Sequence, residues 1–330
     1  MQKSVSIVIP NYNGRHLLEK YLPSVFEAAQ NAKTIFEVIV VDDGSKDDSI
    51  DFVKSNYSNV KLLVNDKNRG FSYTCNHGIR ESQHELILLL NSDVKLTPDY
   101  FEHQWKYFNK PDTFGVMARI MSFDESRIED AARLLYYSGC RIKANKFYYS
   151  KNPTDENVYT AYLSGANALV DAKKLKELGG FDEIYSPFSS EDFDLSLRAW
   201  QVGWKCYYEH QSSCFHHVSG STKTQIKSNF IKKIYYRNRY ILQGIHLQGL
   251  RKALWPLQLV FTELLPKILT GKFWVLESYK DYFTNKEAIV ASREKLKALK
   301  QKYNSDLDIS AVIEVINQSV STKKIKRLEF

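Results

Sequence analysis

The chain has 330 residues, of which 43% are hydrophobic and 25% charged, values ordinary for soluble globular proteins. They exclude wholesale disorder, a collagen-like fibre and a polytopic membrane protein, and the length suits one large domain or one domain with an appendage. The net charge of +8 is unevenly placed. Residues 205–330 carry 22 Lys/Arg against 10 Asp/Glu, and residues 1–204 carry 24 against 28, which predicts different jobs for an acidic front and a basic back.

The first 95 residues repeat a beat of short apolar run, polar turn and amphipathic stretch. Val5–Pro10, Ile35–Val41, Val60–Val64 and Leu86–Leu90 are the runs. Leu17–Ala29, a stretch beginning near Lys46, and Phe71–Arg80 are the helical partners. Near-continuous apolar strands alternating with helices predict a parallel sheet covered on both faces. Beyond Asp93 the pattern predicts a helix over 100–108 and mixed strands and loop over 114–149. A strand over 161–170 and short helices over 173–178 and 191–202 follow. From Lys223 onward nearly everything reads as helix, with a basic tail over Thr322–Phe330 expected to fray. The boundary is set near Thr222, giving a unit of residues 1–222 and a basic helical region of residues 223–330.

Cys75, Cys140, Cys206 and Cys214 form no C-x-x-C pair, so free thiols are expected. Met1-Gln2-Lys3-Ser4 runs at once into a strand and lacks the form of a signal peptide. Ala253–Leu269 is broken by Pro256, Glu263 and Pro266, and so falls short of a spanning helix. A cytoplasmic protein is expected.

The unusual polar residues fall after the strands: Pro10-Asn11-Tyr12-Asn13, Asp42-Asp43-Gly44-Ser45, Asn68-Arg69-Gly70 and Asn91-Ser92-Asp93. All four lie at carboxyl ends of parallel strands, the edge where open α/β sheets bind ligands. Singly each has a plain reading: Asp-Gly is a turn, Ser45 with Asp48 is a variant capping box, and Pro10 stops a strand. Together they build a site from segments distant in sequence. Asp93, following five apolar strand residues with Asn91 two before it, is placed to hold Mg²⁺ or Mn²⁺ beside substrate phosphates. Neither G-x-G-x-x-G nor G-x-x-x-x-G-K-[ST] occurs, which argues against a nicotinamide dehydrogenase and a P-loop enzyme. Tyr12 offers an aromatic face, and Asp42 or Asp43 an acceptor for base or ribose hydrogens.

Two further clusters follow. Ser189-Ser190-Glu191-Asp192-Phe193-Asp194 crowds three acids into four residues at a helix start. One acid there compensates the helix dipole. Three repel, and such crowding raises a pKa into the range of a general base. In Phe215-His216-His217-Val218-Ser219-Gly220, adjacent histidines on a strand point to opposite faces, so one at most serves this site.

Taken in order, these segments resemble the family 2 glycosyltransferases, inverting enzymes of the GT-A fold. The likeness runs through Val8–Asn13, Val40–Ser45, Asn68–Phe71 with Asn76, Leu89–Asp93, Ser164–Ala166, Gly180–Asp182, Glu191–Leu195 with Arg198, and His217–Ser221. Tyr236–Tyr240 adds a likeness to the bacterial rhamnosyltransferase-like branch. The resemblance implies a Rossmann-like mixed sheet with helices on both faces, followed by a C-terminal helical region. It implies that Pro10, Asn11, Tyr12, Asn13, Asp42, Asp43, Arg69, Gly70, Asn76, Asn91, Ser92 and Asp93 bind a nucleotide-diphosphate sugar, UDP- or dTDP-linked. Asn91-Ser92-Asp93 stands where the family carries D-x-D, with Asn in place of the first acid. Asp93 and His217 would hold Mn²⁺ or Mg²⁺, with His216 as the competing histidine. Gly165, Ala166 and Glu191 would face the acceptor, and Asp192 matches the catalytic base.

Lys223–Lys252 carries eight Lys/Arg and no acid, interleaved with aromatic and aliphatic residues. It reads either as a solvated helix face or as a surface for anionic lipid. No recognised motif supports nucleic acid as a partner. The expected activity is inverting sugar transfer to a hydroxyl of a glycan or lipid-linked acceptor in cell-surface polysaccharide synthesis. The rivals are a sugar-phosphate nucleotidyltransferase, which would release pyrophosphate, and an inactive sugar-nucleotide-binding subunit that tethers a partner to membrane.

Overall fold

A computed structural model describes residues 2–217 and 228–328. The chain runs β1 (Val5–Asn11), α1 (Arg15–Asn31), β2 (Phe36–Asp42), α2 (Ser49–Asn56), β3 (Val60–Val64), α3 (Phe71–Glu81) and β4 (Leu86–Leu90). These are the predicted beats. Pro23 lies inside α1 without ending it. Next come β5 (Val94–Leu96), β6 (Thr113–Met121), β7 (Ile128–Asp130), β8 (Ala132–Ser138), β9 (Arg141–Ser150), β10 (Asn167–Asp171), α4 (Ala172–Glu177), α5 (Glu191–Gln201) and β11 (Lys205–His216). The helical region holds α6 (Ser228–His246), α7 (Gly249–Leu259), a π-helical turn (Val260–Leu264), α8 (Leu265–Leu269), α9 (Trp274–Thr284), α10 (Lys286–Lys302) and α11 (Ile309–Ser321). It ends in β12 (Ile325–Leu328).

The main sheet has the order β3-β2-β1-β4-β10-β6-β11-β5, with β7 beside β6. Strands β3 to β4 are parallel, β10 runs antiparallel between β4 and β6, and β11 is parallel to β6. This is the expected mixed sheet. Its strands are apolar on both faces because both faces are covered. Ile7, Ile9, Val38, Val40 and Leu88 pack toward α1 and α2. Val8, Ile39, Val41, Ile87 and Leu89 pack toward α3, α4 and α5. The helices from α6 onward share that second layer through Tyr240, Ile241, Trp255 and Val312.

Three expectations need correction. Residues 100–108 do not form a helix; turns lead into a short 3₁₀ helix over Trp105–Asn109. The Gln104 side chain donates to the Tyr100 carbonyl at 2.7 Å, and Phe101 stacks on Trp105 at 5.6 Å. The strand predicted over 161–170 is confined to Asn167–Asp171. The basic tail is not frayed over 325–328. It adds β12 antiparallel to β9 with Ile325 opposite Ser150, in a small sheet of order β12-β9-β8. The boundary at Thr222, the segment Val218–Thr222, Lys223, Lys227 and Phe330 lie outside the described residues. The four cysteines are free.

Candidate active site

The carboxyl ends of β1, β2 and β4 and the loop before α3 open into one cleft of about 730 Å³. Pro10, Asn11, Tyr12, Asp43, Gly70, Asn91, Ser92 and Asp93 line it, and Gly165, Ala166, Glu191 and Asp192 close its far side. Twelve residues named from the sequence therefore meet in one cavity of a size suited to a small-molecule ligand.

Buried carboxylates hold the cleft's floor. Asp42 accepts from Asn11 Nδ2 at 2.9 Å and from the Ser45 amide at 2.8 Å, tying the ends of β1 and β2. Asp43 accepts from Asn65 Nδ2 at 2.8 Å and from the amides of Arg69 and Gly70 at 2.9 Å each. It thereby shapes the turn before α3. Gly70 has φ +87°, and a Cβ there would meet Pro187 Cα at 2.9 Å, so this turn requires glycine. Asn13 receives the Lys46 amide at 2.7 Å. Neither it nor Asp42 is among the residues lining the cleft.

Arg69 and Asn76 also lie away from the cleft lining. The Arg69 guanidinium binds Asp66 at 3.0 and 3.2 Å and lies over Tyr73. Asn76 is buried, donating to the Phe181 carbonyl at 2.9 Å and accepting from its amide at 2.8 Å. It thus holds the Gly180-Phe181 turn. Thr74, Pro187, Phe188 and Phe230 line the cleft without having been singled out. Their types carry no chemical signal, and only the fold assembles them.

The histidine pair separates as strand geometry requires. Strand β11 runs antiparallel to β5 with His216 opposite Val94, which brings His216 Nε2 to 3.2 Å from Asp93 Oδ1. His217 donates its backbone amide to the Asp93 carbonyl at 2.9 Å, and its ring packs against Tyr21 and Phe123. His216 lines the cleft. Among the described residues no group of three His, Cys, Asp or Glu could hold a metal ion. However, Asn91 Oδ1 is buried without a hydrogen bond, and Asp93 Oδ1 faces the His216 ring, in residues that line the cleft. Oxygen donors of this kind fit a hard divalent cation whose remaining ligands are phosphate oxygens.

The three acids at the start of α5 have separate fates. Ser189 and Ser190 both adopt the left-handed region, at φ 80° and 75°, a strained pair of the kind that clusters at active sites. Asn238 on α6 secures this loop, donating to the carbonyls of Tyr185, Phe188 and Ser189 at 2.6, 2.8 and 2.8 Å. Asp194 turns inward, accepting from Arg198 Nε at 2.8 Å and Tyr185 Oη at 3.1 Å, with His246 Nε2 at 2.8 Å. Burial alone would raise its pKa, but Arg198 and His246 hold the carboxyl at about 2. It pairs with Arg198 as its position four residues earlier predicts.

Glu191 and Asp192 face the cleft. Asp192 Oδ1 accepts the Phe193 amide at 2.7 Å, and Oδ2 lies 3.4 Å from the Gly165 amide. Burial raises both carboxyls. Repulsion from Asp192 lifts Glu191 further, whereas Arg133 and those amides favour the charged form of Asp192. Of the two, Glu191 is the carboxyl that more readily holds a proton. Arg133 was not singled out from the sequence. It is buried, bridged to Asp130, and lies 3.9 Å over the Tyr162 ring. Its only signal was a charge inside an apolar strand.

Asp192 also borders a second groove of about 420 Å³ on the other side of α5's first turn. Lys143 and Asn145 of β9, Tyr162, Phe193, and Tyr235 and Arg239 of α6 line it, again with Glu191. A carboxylate with a raised pKa thus stands in the wall between two cavities.

Known proteins resemble this chain in sequence and in fold. The model for "Glycosyl transferase family 2" matches residues 6–179. An uncharacterized glycosyltransferase of Rickettsia typhi is 28% identical over 254 residues, covering 73% of this chain and 75% of the relative. The N-acetylglucosaminyl-diphospho-decaprenol L-rhamnosyltransferase of Mycobacterium tuberculosis is 24% identical over 250 residues, 67% of this chain and 78% of the relative. Among solved structures, GalNAc-T7 with UDP, GalNAc and Mn²⁺ superposes with a TM-score of 0.65 at 13% identity. That match covers 98% of this chain, which spans 58% of the GalNAc-T7 chain.

Proposed function

We propose, from the premise that this chain belongs to glycosyl transferase family 2, that it is an inverting transferase. It moves a sugar from a UDP- or dTDP-sugar to a hydroxyl of a glycan or lipid-linked acceptor, as a step in building cell-surface polysaccharide. The observation that carries the reading is that Asp192 lines both the strand-end cleft and the second groove. The nucleotide sugar occupies the cleft, with its base against Tyr12 and its ribose near Asp43 and Asn91. The acceptor occupies the groove, on the side of Gly165, Ala166 and Glu191. Residues 1–222 supply the donor site and the base, and residues 223–330 supply one wall of the groove.

Asp192 takes the proton from the acceptor hydroxyl as that oxygen attacks the anomeric carbon. The nucleoside diphosphate leaves from the opposite face, so the configuration inverts. Glu191, keeping its own proton, leaves Asp192 as the charged member of the pair. Asp93, with a histidine of the pair His216/His217, would hold Mn²⁺ or Mg²⁺ against the diphosphate. That ion supplies charge neutralisation for the leaving group. The reading puts the protein in the cytoplasm, at the inner face of the membrane; no helix among the described residues is long and apolar enough to cross one.

The test is a screen of sugar nucleotides for slow hydrolysis and transfer, with the anomeric configuration of donor and product read by NMR. Release of nucleoside diphosphate with inversion is the expected result. Release of pyrophosphate, or retention, overturns it. A second expectation concerns the metal. In calorimetry with UDP and dTDP, Mn²⁺ should tighten binding to the wild type and not to Asp93→Ala. Histidine substitutions then assign the ligand: His216→Ala or His217→Ala should copy the Asp93 variant. Equal binding by wild type and Asp93→Ala in all conditions would end the metal assignment.

A further inference from the structure

The polar cleft does not account for a row of large apolar side chains on the outer helices. Leu250, Leu254, Leu257, Phe261, Leu265 and Leu269 are all exposed, Leu269 at 84%, Leu250 at 73% and Phe261 at 67%. Their spacing of three and four residues places the first four on one helix face. In an unbroken α-helix, Leu265 and Leu269 would drift by about 60° and 100° from Leu250. The π-helical turn over Val260–Leu264 inserts about one residue and sets them back by about 100°. The six side chains therefore form one stripe along α7 and α8, about 30 Å long.

The opposite face of the same helix is well anchored. Trp255, Leu259, Glu263 and Leu264 are buried. Trp255 packs on Tyr240 and Tyr282, and Glu263 binds Arg141 and receives the Tyr240 hydroxyl at 3.1 Å. The stripe is thus the outward side of a fixed helix, and an apolar patch of this kind marks an interaction surface.

Its rim is of one sign. Arg251 and Lys272 are the exposed charges beside the stripe, and within residues 249–276 the only acid is the buried Glu263; Lys252 and Lys267 turn toward the anchored face, Lys267 over the Tyr236 ring. A second copy docked through the same stripe would set basic rim against basic rim. An anionic lipid surface meets both features at once: acyl chains take the leucines and phenylalanine, and headgroups take Arg251 and Lys272. We infer that α7 and α8 form an in-plane membrane anchor, binding the surface of a bilayer that contains anionic lipid.

This overlaps the surface expected on the basic segment only at its end, residues 249–252. Earlier in that segment Lys233 is paired with Glu277 and Asp281 at 3.1 Å each, and Arg237 donates to the Ser186 carbonyl. The anchor also sits beside the second groove, because Arg239 lines that groove and lies 3.8 Å from Glu263. An acceptor held at the membrane surface would have to reach inward by about one helix diameter, roughly 10 Å.

The experiment is cosedimentation of the full chain with vesicles of phosphatidylcholine alone and of phosphatidylcholine with phosphatidylglycerol. Sugar transfer to a soluble acceptor is measured in parallel, so failure of the anchor and failure of the transferase reading are separable. Wild type should sediment only with the phosphatidylglycerol vesicles and be released as salt rises. Leu257→Glu with Phe261→Glu should bind at least about tenfold more weakly, the loss of large apolar contacts being enough for that factor. Arg251→Glu with Lys272→Glu should lose the preference for phosphatidylglycerol. Leu269→Glu, at the most exposed position, is the reserve variant if the first pair lowers the melting temperature. No sedimentation by wild type, or equal sedimentation by the apolar variants, overturns the inference. So does a dimer of the wild type that the apolar variants dissociate while vesicle binding is absent.

Discussion

Asp192→Asn is expected to bind sugar nucleotide nearly as the wild type does and to transfer sugar at least about 100-fold more slowly, the lower end of what a general base contributes. The amide keeps the size of the side chain and its capacity to accept the Phe193 amide, and removes the proton acceptor. A factor of 100 is about 3 kcal/mol of barrier. Glu191→Gln is the informative companion. Because burial and its neighbour push the Glu191 carboxyl up, it holds a proton more readily than Asp192, and its amide should retain transfer within about tenfold.

The acid side of the pH–rate profile follows from the same shifts. Asp192 must be ionised to act, and its pKa is raised by burial. The rate should therefore begin to fall at a pH above the ordinary Asp value of about 3.9. Near-normal transfer by Asp192→Asn with collapse in Glu191→Gln would move the base to Glu191. Near-normal transfer by both would end the base-catalysed mechanism.

Asp194→Ala should act on stability instead. Removing one partner from a buried ion pair typically costs about 3–5 kcal/mol, and here Arg198 would be left, among the described residues, with the Leu178 and Gly180 carbonyls. Since folded domains are stable by about 5–15 kcal/mol, that loss should bring a large fall in melting temperature and in the urea midpoint. The folded pKa of Asp194 is depressed, so its contribution is complete above the unfolded value of about 3.9 and is lost as pH falls toward 2. Acid unfolding of the wild type should therefore show a component in that window that Asp194→Asn lacks. Transfer per folded molecule should stay within about tenfold of wild type, since the substitution leaves Asp192 in place. A variant with unchanged stability and collapsed transfer would reverse the assignment.

Much of the first half was legible because β1 to β4 are buried on both faces, and a doubly covered strand writes itself as an unbroken apolar run. The strand ends were legible for the related reason that polar clusters cannot continue such runs. The β8–β9 hairpin and β12 were not. Their residues alternate charged, aromatic and aliphatic types, and the partner of β12 lies about 175 residues away, at Phe147–Ser150. Within the site, the sequence named Asp42 and Asp43 together because adjacent acids look alike. Strand geometry then divides them, Asp42 binding Asn11 beneath the cleft and Asp43 lining it. The histidines divide the same way, and which ring meets Asp93 depends on the β5–β11 register. Arg133 was passed over because its role comes from burial beside Asp192, which no motif encodes.

The three bonds from Asn238 to the loop before α5 make α6 the rear support of the helix that carries Asp192. Displacing α6 by an ångström would stretch all three together and release the strained Ser189-Ser190 pair that aims Glu191 and Asp192. A fragment ending at residue 217 would keep every cleft residue except Phe230. It would still lose the brace on the loop that orients Asp192. On the proposed reading, such a fragment would be a poor catalyst, and the outer helices would be part of its aiming gear.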